Sequence, residues 1–311
     1  MSVDLFFFVP TQEHLFFCSK QAQNTMSTKL KIAVQKSGRL QEDSLEMLRE
    51  CGVRVDNGRD QLKVSASGFP MELFFLRNSD IPQYVADGVA DVAILGQNTV
   101  TEKEKDLEEV LPLGFARCRL SLAVPKGTLY TGINWMQGKK IATSYPNTLR
   151  AFLNKHNIQA EIHEIAGSVE IAPNIGLADA ICDLVSSGNT LFMNGLEEKE
   201  VILKSEAAIF ASRNISIEAR ELLEKLIFRF KSVLAARNNK YLLMNAPNEA
   251  LSQIINILPG MKSPTVVPLA EPGWSSVHTV ISEDRFWEII DRLKAAGAQG
   301  ILIIPIQKMI L

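Results

Sequence analysis

The feature that most constrains this chain is a repeated alternation of short apolar runs with helical stripes, beginning at Lys29. Leu30–Val34 is a short apolar strand, and Leu40–Cys51 places apolar residues at 40, 45, 47, 48 and 51, a helical stripe stopped by Gly52. Met71–Leu76 reads as a buried strand, Ile81–Gly88 as a helix and Asp91–Leu95 as a strand. A second unit opens near Arg119. It has strands at Ser121–Val124, Lys139–Thr143, Gln159–Ile165 and Ala180–Val185, and helices at Leu149–Lys155 and Glu170–Leu177. Strands that alternate with helices in this way pair mostly in parallel and are covered on both faces. The expectation is two α/β lobes around a cleft.

The two units share an internal echo. Gly88-Val-Ala-Asp91 leads through a strand to Gly96-Gln-Asn-Thr99, and Gly176-Leu-Ala-Asp179 leads through a strand to Gly188-Asn-Thr190. The second copy has a longer stretch between aspartate and glycine, which predicts an enlarged loop on one side of a pseudo-symmetric pair.

After a helical stretch at Glu218–Ala236 the rhythm changes. Tyr241–Met244, Thr265–Leu269, Ser276–Ile281 and Gly300–Ile306 read as strands; Asn248–Leu258, ending at Pro259-Gly260, and Arg285–Ala296 read as helices. The order βαββαβ is that of a ferredoxin-like domain. The expected division is therefore 26–114 with 196–235 in the first lobe, 115–195 in the second, and 236–311 in the third domain. Residues 1–25 lie upstream of all regular patterning. Their apolar run Leu5–Val9 ends at Pro10, too short to span a membrane and without the cationic flank of a signal peptide.

Composition narrows the partners. With 33 Lys and Arg against 35 Asp and Glu, the formal net charge is −2. That balance offers no electrostatic footprint for nucleic acid or an anionic membrane, while a small anion held by a few local cations remains open. The cysteines at 18, 51, 118 and 182 form no Cys-x-x-Cys pair, so neither zinc nor a disulfide framework is expected, and a cytoplasmic location is.

The stretch with most chemistry is Asp183-Leu-Val-Ser186-Ser187-Gly188-Asn189-Thr190-Leu191. It follows an apolar strand, at the strand end where open α/β folds bind ligands. Its hydroxyls and closely spaced N–H groups suit a phosphate, and Gly188 allows a backbone turn other residues resist. Asp183 is placed to hold sugar hydroxyls or Mg2+. The plain alternative is a polar loop that caps the next helix.

These residues, with Glu170, Gly176, Ala178 and Ile181, resemble the signature of ATP phosphoribosyltransferases. So do Ile32–Leu40, Leu76-Arg77 with Asp80-Ile81-Pro82, Cys118–Ala123 and Ile141–Asn147. The resemblance runs from about Lys29 to the C-terminus and points to the long form of the family. It implies periplasmic-binding-protein-like lobes, transfer of a phosphoribosyl group from phosphoribosyl pyrophosphate to N1 of ATP, and Mg2+ as cofactor. It further implies L-histidine as feedback inhibitor acting through the third domain, and a homo-oligomer of dimers assembling into hexamers. Asp183, Ser186, Ser187, Gly188, Asn189 and Thr190 would hold the 5-phosphate end of phosphoribosyl pyrophosphate. Glu170 would join Asp183 at the ribose diol or its Mg2+, or else merely favour a helix dipole. Lys36 and Arg39, with Arg77 and Arg119 as weaker candidates, would face the polyphosphates. Tyr145 is open between an adenine-stacking side chain and a half-buried core residue. No covalent nucleophile is expected.

Solute-binding proteins and effector domains of transcription regulators share the two-lobed plan. The first would need an export signal and the second a DNA-binding module, and the phosphate loop favours an enzyme over both. A salvage-type phosphoribosyltransferase would carry an acidic pair directly before its phosphate loop, and Asp183 has no acidic neighbour.

Overall fold

The first sheet grows from strands whose side chains are apolar on both faces. In the computed structural model, which describes residues 28–56, 61–258 and 263–310, β1 (Leu30–Gln35), α1 (Arg39–Glu50), β2 (Lys63–Ser65), β3 (Met71–Leu76), α2 (Ile81–Ala86), β4 (Val92–Gly96), α3 (Gln97–Lys103) and β5 (Leu107–Pro112) follow in order. The second sheet is built from β6 (Cys118–Pro125), β7 (Lys140–Thr143), α4 (Pro146–Lys155), β8 (Glu161–Glu164), β9 (Ala180–Val185), α5 (Asn189–Met193) and β10 (Leu196–Ser205). The chain then returns through β11 (Ala207–Ser212) and α6 (Ile217–Arg237). The sheet orders are β2-β3-β1-β4-β11-β5 and β10-β6-β9-β7-β8. In the first, β1 is parallel to β3 and β4, and β11 enters antiparallel between β4 and β5. In the second, β9, β7 and β8 are parallel, β6 runs against them, and β10 at the edge is antiparallel to β6. Val92, Ala93, Ile94 and Leu95 are all buried, as a strand covered on both faces requires.

The internal echo is real at atomic level. Asp91 Oδ2 accepts from the Lys31 N–H at 2.8 Å, and Asp179 Oδ2 accepts from the Lys140 N–H at 2.8 Å. Each aspartate also donates its own N–H back to that same residue's carbonyl. One carboxylate thus pins the start of each parallel pair, β1 with β4 and β7 with β9. The enlarged side of the repeat is the connection from β9 to α5.

Helix α6 packs along the first sheet. Ala219, Leu223, Leu226, Phe230 and Val233 form its buried stripe, and Ser216 Oγ accepts from the Ala219 N–H at its start, a cap that contributes about 1 kcal/mol. Beyond it, β12 (Asn239–Pro247), α7 (Leu251–Ile257), β13 (Thr265–Pro268), β14 (Trp274–Ser282), α8 (Glu283–Ala295) and β15 (Gln299–Pro305) make an antiparallel sheet of order β13-β14-β12-β15 with its own core. That is the expected ferredoxin-like topology. Among the described residues no helix is long and apolar enough to cross a membrane.

Three expectations need correction. Glu170–Leu177 is not a helix: only Val169–Ile171 makes a 3-10 turn, because Pro173, Asn174 and Gly176 interrupt the pattern. The return to the first lobe comes later than 196, since Leu196–Ser205 pairs with β6 in the second sheet. The first helix starts at Arg39 rather than after it. The 1–25 extension and the Pro259-Gly260 stop lie outside the described residues.

Candidate active site

The 183–191 motif becomes a tight connection from β9 to α5. Gly188 has φ +84° and ψ −4°, the left-handed conformation that favours glycine. Ser186, Ser187, Asn189 and Thr190 are exposed beside it, and the Ser187 hydroxyl accepts from the Asn189 N–H at 3.4 Å. Hydroxyls and backbone donors therefore crowd one short turn without a cation in it.

Asp183 sits two residues before the strand end. Its Oδ1 accepts from the Leu184 N–H at 2.8 Å. Burial pushes its carboxyl above the ordinary carboxylate range; that hydrogen bond opposes the shift, and nearby Glu170 adds to it. With the 170–177 helix absent, a helix dipole no longer accounts for Glu170. Asp183 is thus largely withdrawn from water with a second carboxylate nearby, and a divalent cation beside it would favour its charged form.

The first lobe contributes the loop after β1. Gln35 pairs with Leu76, and the Lys36 N–H donates to the Leu76 carbonyl at 2.8 Å, so Lys36 and Arg77 emerge side by side from neighbouring strand ends. Both are exposed. Arg39 follows at the head of α1 with 87% of its side chain exposed and only a loose pairing to Asp43 at 3.9 Å.

A cavity of about 560 Å³ brings the halves together. Arg39, Asp43 and Glu46 line it from α1, Ser186 from the turn after β9, Arg117 from the crossover and Cys118 from the start of β6, with Arg237 closing it. Arg117 and Arg237 carried no sequence signal, because only the tertiary fold brings the crossover and the end of α6 to this cavity.

Arg119 is not an open cation in this cleft. Its Nε and Nη2 donate to the two carboxylate oxygens of Glu198, each at 2.5 Å, and its Nη1 donates to the Ser186 carbonyl at 3.1 Å. Ser121 Oγ donates to the same carboxylate at 2.7 Å. The Arg119 guanidinium, and then Ser121, hold Glu198 below the usual carboxylate range against its partial burial. Arg119 thus supports the turn after β9 from behind.

Tyr145 packs against the core of the second lobe, which favours the core reading of its ring. Its hydroxyl accepts from Asn98 Nδ2 of the first lobe at 3.3 Å. Burial, then the Asp183 charge, raises its pKa well out of reach of neutral pH, so the phenol stays protonated.

Comparison with known proteins follows the same outline. The family profile described as ATP phosphoribosyltransferase matches residues 77–232, and that described as HisG, C-terminal domain, matches 236–308. An ATP phosphoribosyltransferase from Phocaeicola vulgatus is 55% identical over 282 residues, 91% of this chain and 100% of that one. Another, from Bacteroides thetaiotaomicron, is 56% identical over 281 residues, 90% of this chain and 99% of that one. Among solved structures, a chain of the ATP phosphoribosyl transferase (HisG:HisZ) complex from Thermotoga maritima superposes with a TM-score of 0.57 at 29% identity. That match covers 65% of this chain and 96% of the other.

Proposed function

We propose, for a chain that belongs to the ATP phosphoribosyltransferase family in its long form, that the cavity between α1 and the 186–190 turn is where its two substrates meet. The enzyme transfers the 5-phosphoribosyl group from phosphoribosyl pyrophosphate to N1 of ATP, giving phosphoribosyl-ATP and pyrophosphate, the first step of histidine biosynthesis. The observation that carries the proposed site is the joint lining of one cavity by Arg39 and Ser186. In this reading Ser186, Ser187, Gly188, Asn189 and Thr190 hold the 5-phosphate, and Lys36, Arg39 and Arg77 face the polyphosphate groups.

The ring nitrogen displaces pyrophosphate at C1 of the ribose through a transition state of oxocarbenium character. The protein's work is to orient two substrates and to stabilise the departing charge with donors already in place. Lys36 and Arg39 would supply the opposing positive charge from the first lobe. No side chain is required to form a covalent bond.

Mg2+ fits the residues present. Among the described residues no three His, Cys, Asp or Glu side chains gather as a metal cage, but Asp183 has Glu170 as a carboxylate neighbour near enough to act on it. A pair of carboxylates plus substrate phosphates is the usual setting for Mg2+, which keeps several waters. Bound there, the ion would neutralise the pyrophosphate.

Three further elements belong to this reading. The third domain binds L-histidine as inhibitor; a cavity of about 940 Å³ lined by Tyr241, Thr265, His278 and Thr279 offers it polar groups. The chain forms dimers and hexamers, supported by exposed Val267, Leu302, Ile303 and Ile304 on the third sheet, the kind of surface an oligomer covers. Its location is cytoplasmic, where both phosphorylated substrates are held.

Thr190→Ala tests the phosphate cradle. Losing a hydroxyl contact to a charged group costs about 1.5–3 kcal/mol, so KM for phosphoribosyl pyrophosphate should rise about ten- to hundredfold, with little change for ATP. Equal losses for both substrates, or none, would reject the assignment.

A further inference from the structure

Helix α4 begins without a cap of its own. Its N-cap residue, Tyr145, offers no side-chain acceptor, and Pro146 at the first position has no N–H. Leu149 reaches the Tyr145 carbonyl within the helix. That leaves the N–H groups of Asn147 and Thr148 in need of acceptors. Both are supplied from the other lobe. Glu102, on α3, accepts from the Asn147 N–H at 3.0 Å through one carboxylate oxygen. Its other oxygen accepts from the Thr148 N–H at 2.9 Å and from the Thr148 hydroxyl at 2.7 Å. The Glu102 carbonyl accepts from Asn147 Nδ2 at 3.0 Å. Glu102 is 6% exposed, an unusual burial for a carboxylate, and its charge lies at the positive end of α4.

A second contact runs beside it. The Asn98 N–H donates to Ser205 Oγ at 3.0 Å, that hydroxyl donates back to Asn98 Oδ1 at 2.9 Å, and Asn98 Nδ2 donates to Tyr145. Ser205 ends β10, just before the chain crosses back to the first sheet. The lobes are otherwise joined covalently only by residues 113–117 and Glu206 among the described residues, short connections that leave rotation about the crossover soft.

We propose that Glu102 is a cross-lobe cap that sets the angle between the two halves of the active site, a positioning residue for the transfer reaction. The proposal rests on the reading of the cleft given above. Swinging the lobes apart would break all four of these hydrogen bonds, so the cap holds α4, and with it Tyr145, at a fixed place relative to α3. Each substrate is held mainly by one lobe, and the cap decides how they face each other. Loss of the cap therefore acts on the chemical step more than on either binding step.

The test is steady-state kinetics on the full-length enzyme. Glu102→Gln keeps the shape but turns one acceptor into a donor facing an N–H. Its kcat should fall about tenfold or more, the scale on which small misplacements cost rate, while KM for each substrate moves by less than about threefold. Thr148→Val, which removes only the hydroxyl donor, should lower kcat in the same direction by less. The double variant should lose no more than Glu102→Gln alone, because both act through one contact. Ser216→Ala is the stability control: it removes the α6 cap, lowers Tm and leaves kcat unchanged. A Glu102→Gln enzyme, or a Thr148→Val enzyme if the former does not fold, with wild-type kcat would overturn the positioning role. It would leave the phosphate-loop assignment standing, because Thr190→Ala tests that separately.

Discussion

Gly188→Ala separates what the phosphate loop needs for folding from what it needs for binding. A Cβ built at Gly188 meets no atom within 4 Å, so the free protein has room for it. The cost to the fold is conformational: at φ +84° alanine gives up about 1 kcal/mol relative to glycine, or about 2 °C in apparent Tm for a chain of this size. Gly195 is the matched reference. It too is left-handed, at φ +66°, with open space where a Cβ would go, but it lies beyond α5. The two alanine variants should therefore lose the same stability. They should differ in binding. In the proposed cradle the Gly188 methyl group would stand where a phosphate oxygen approaches the backbone, at a loss of about 1.5–3 kcal/mol. KM for phosphoribosyl pyrophosphate should rise about ten- to hundredfold in Gly188→Ala, remain unchanged in Gly195→Ala, and KM for ATP should hold in both. Thermal melts give the first comparison, and kinetics with each substrate varied in turn give the second. If Gly195→Ala raises the same KM, or Gly188→Ala weakens ATP equally, the turn is a structural element and not the phosphate cradle.

Two other outcomes follow from particular contacts. Glu198→Gln should cost about 2 kcal/mol at neutral pH, since it leaves the partly buried Arg119 without its charged partner. Because Arg119 holds the Glu198 carboxyl below its ordinary range, the pair's stability is present above the unfolded-state value and lost as pH falls through the depressed one. The gap between melts of the two proteins should hold above the ordinary carboxylate range and close only as pH falls well below it, and a gap that stays constant on acidification would show that the ion pair is not the cause. A chain ending near Arg237 should keep measurable synthesis of phosphoribosyl-ATP and become insensitive to histidine; inhibition of that truncated enzyme, or an intact enzyme indifferent to millimolar histidine, would remove the third domain from regulation.

The parts of this fold that could be read from the sequence are those set by local periodicity. Buried runs such as Val92–Leu95 and amphipathic stripes such as that of α8 announce themselves, and the third domain follows from their order. Strand β10 did not, because Glu197, Glu198, Lys199 and Glu200 make it look like a solvated charge run, whereas it is an edge strand whose carboxylates turn toward Arg119 and Tyr130. The polar turn after β9 was legible because its residues are contiguous. Arg119 was not, because its neutralising partner stands 79 residues away. The Glu102 cap is invisible for the same reason: a buried carboxylate is justified only by donors that the tertiary fold brings to it.

The same accounting of partners explains how a chain of net charge −2 can hold two polyanions. Among the cations around the cavity, Arg117 is paired with Glu206, Arg119 with Glu198 and Arg237 with Glu50. Drawing any of these onto a substrate would cost an existing pair, and for Arg119 a partly buried one. Arg39 is different. Its contact with Asp43 is long and largely exposed, and exposed pairs contribute only about 0–1 kcal/mol. A polyphosphate can therefore recruit Arg39 at little cost, while the second lobe offers neutral hydroxyls and N–H groups. In the proposed reading, the exposed Lys36, Arg39 and Arg77 on one lobe and a turn of neutral donors on the other would bind phosphate at both ends without a standing positive cleft.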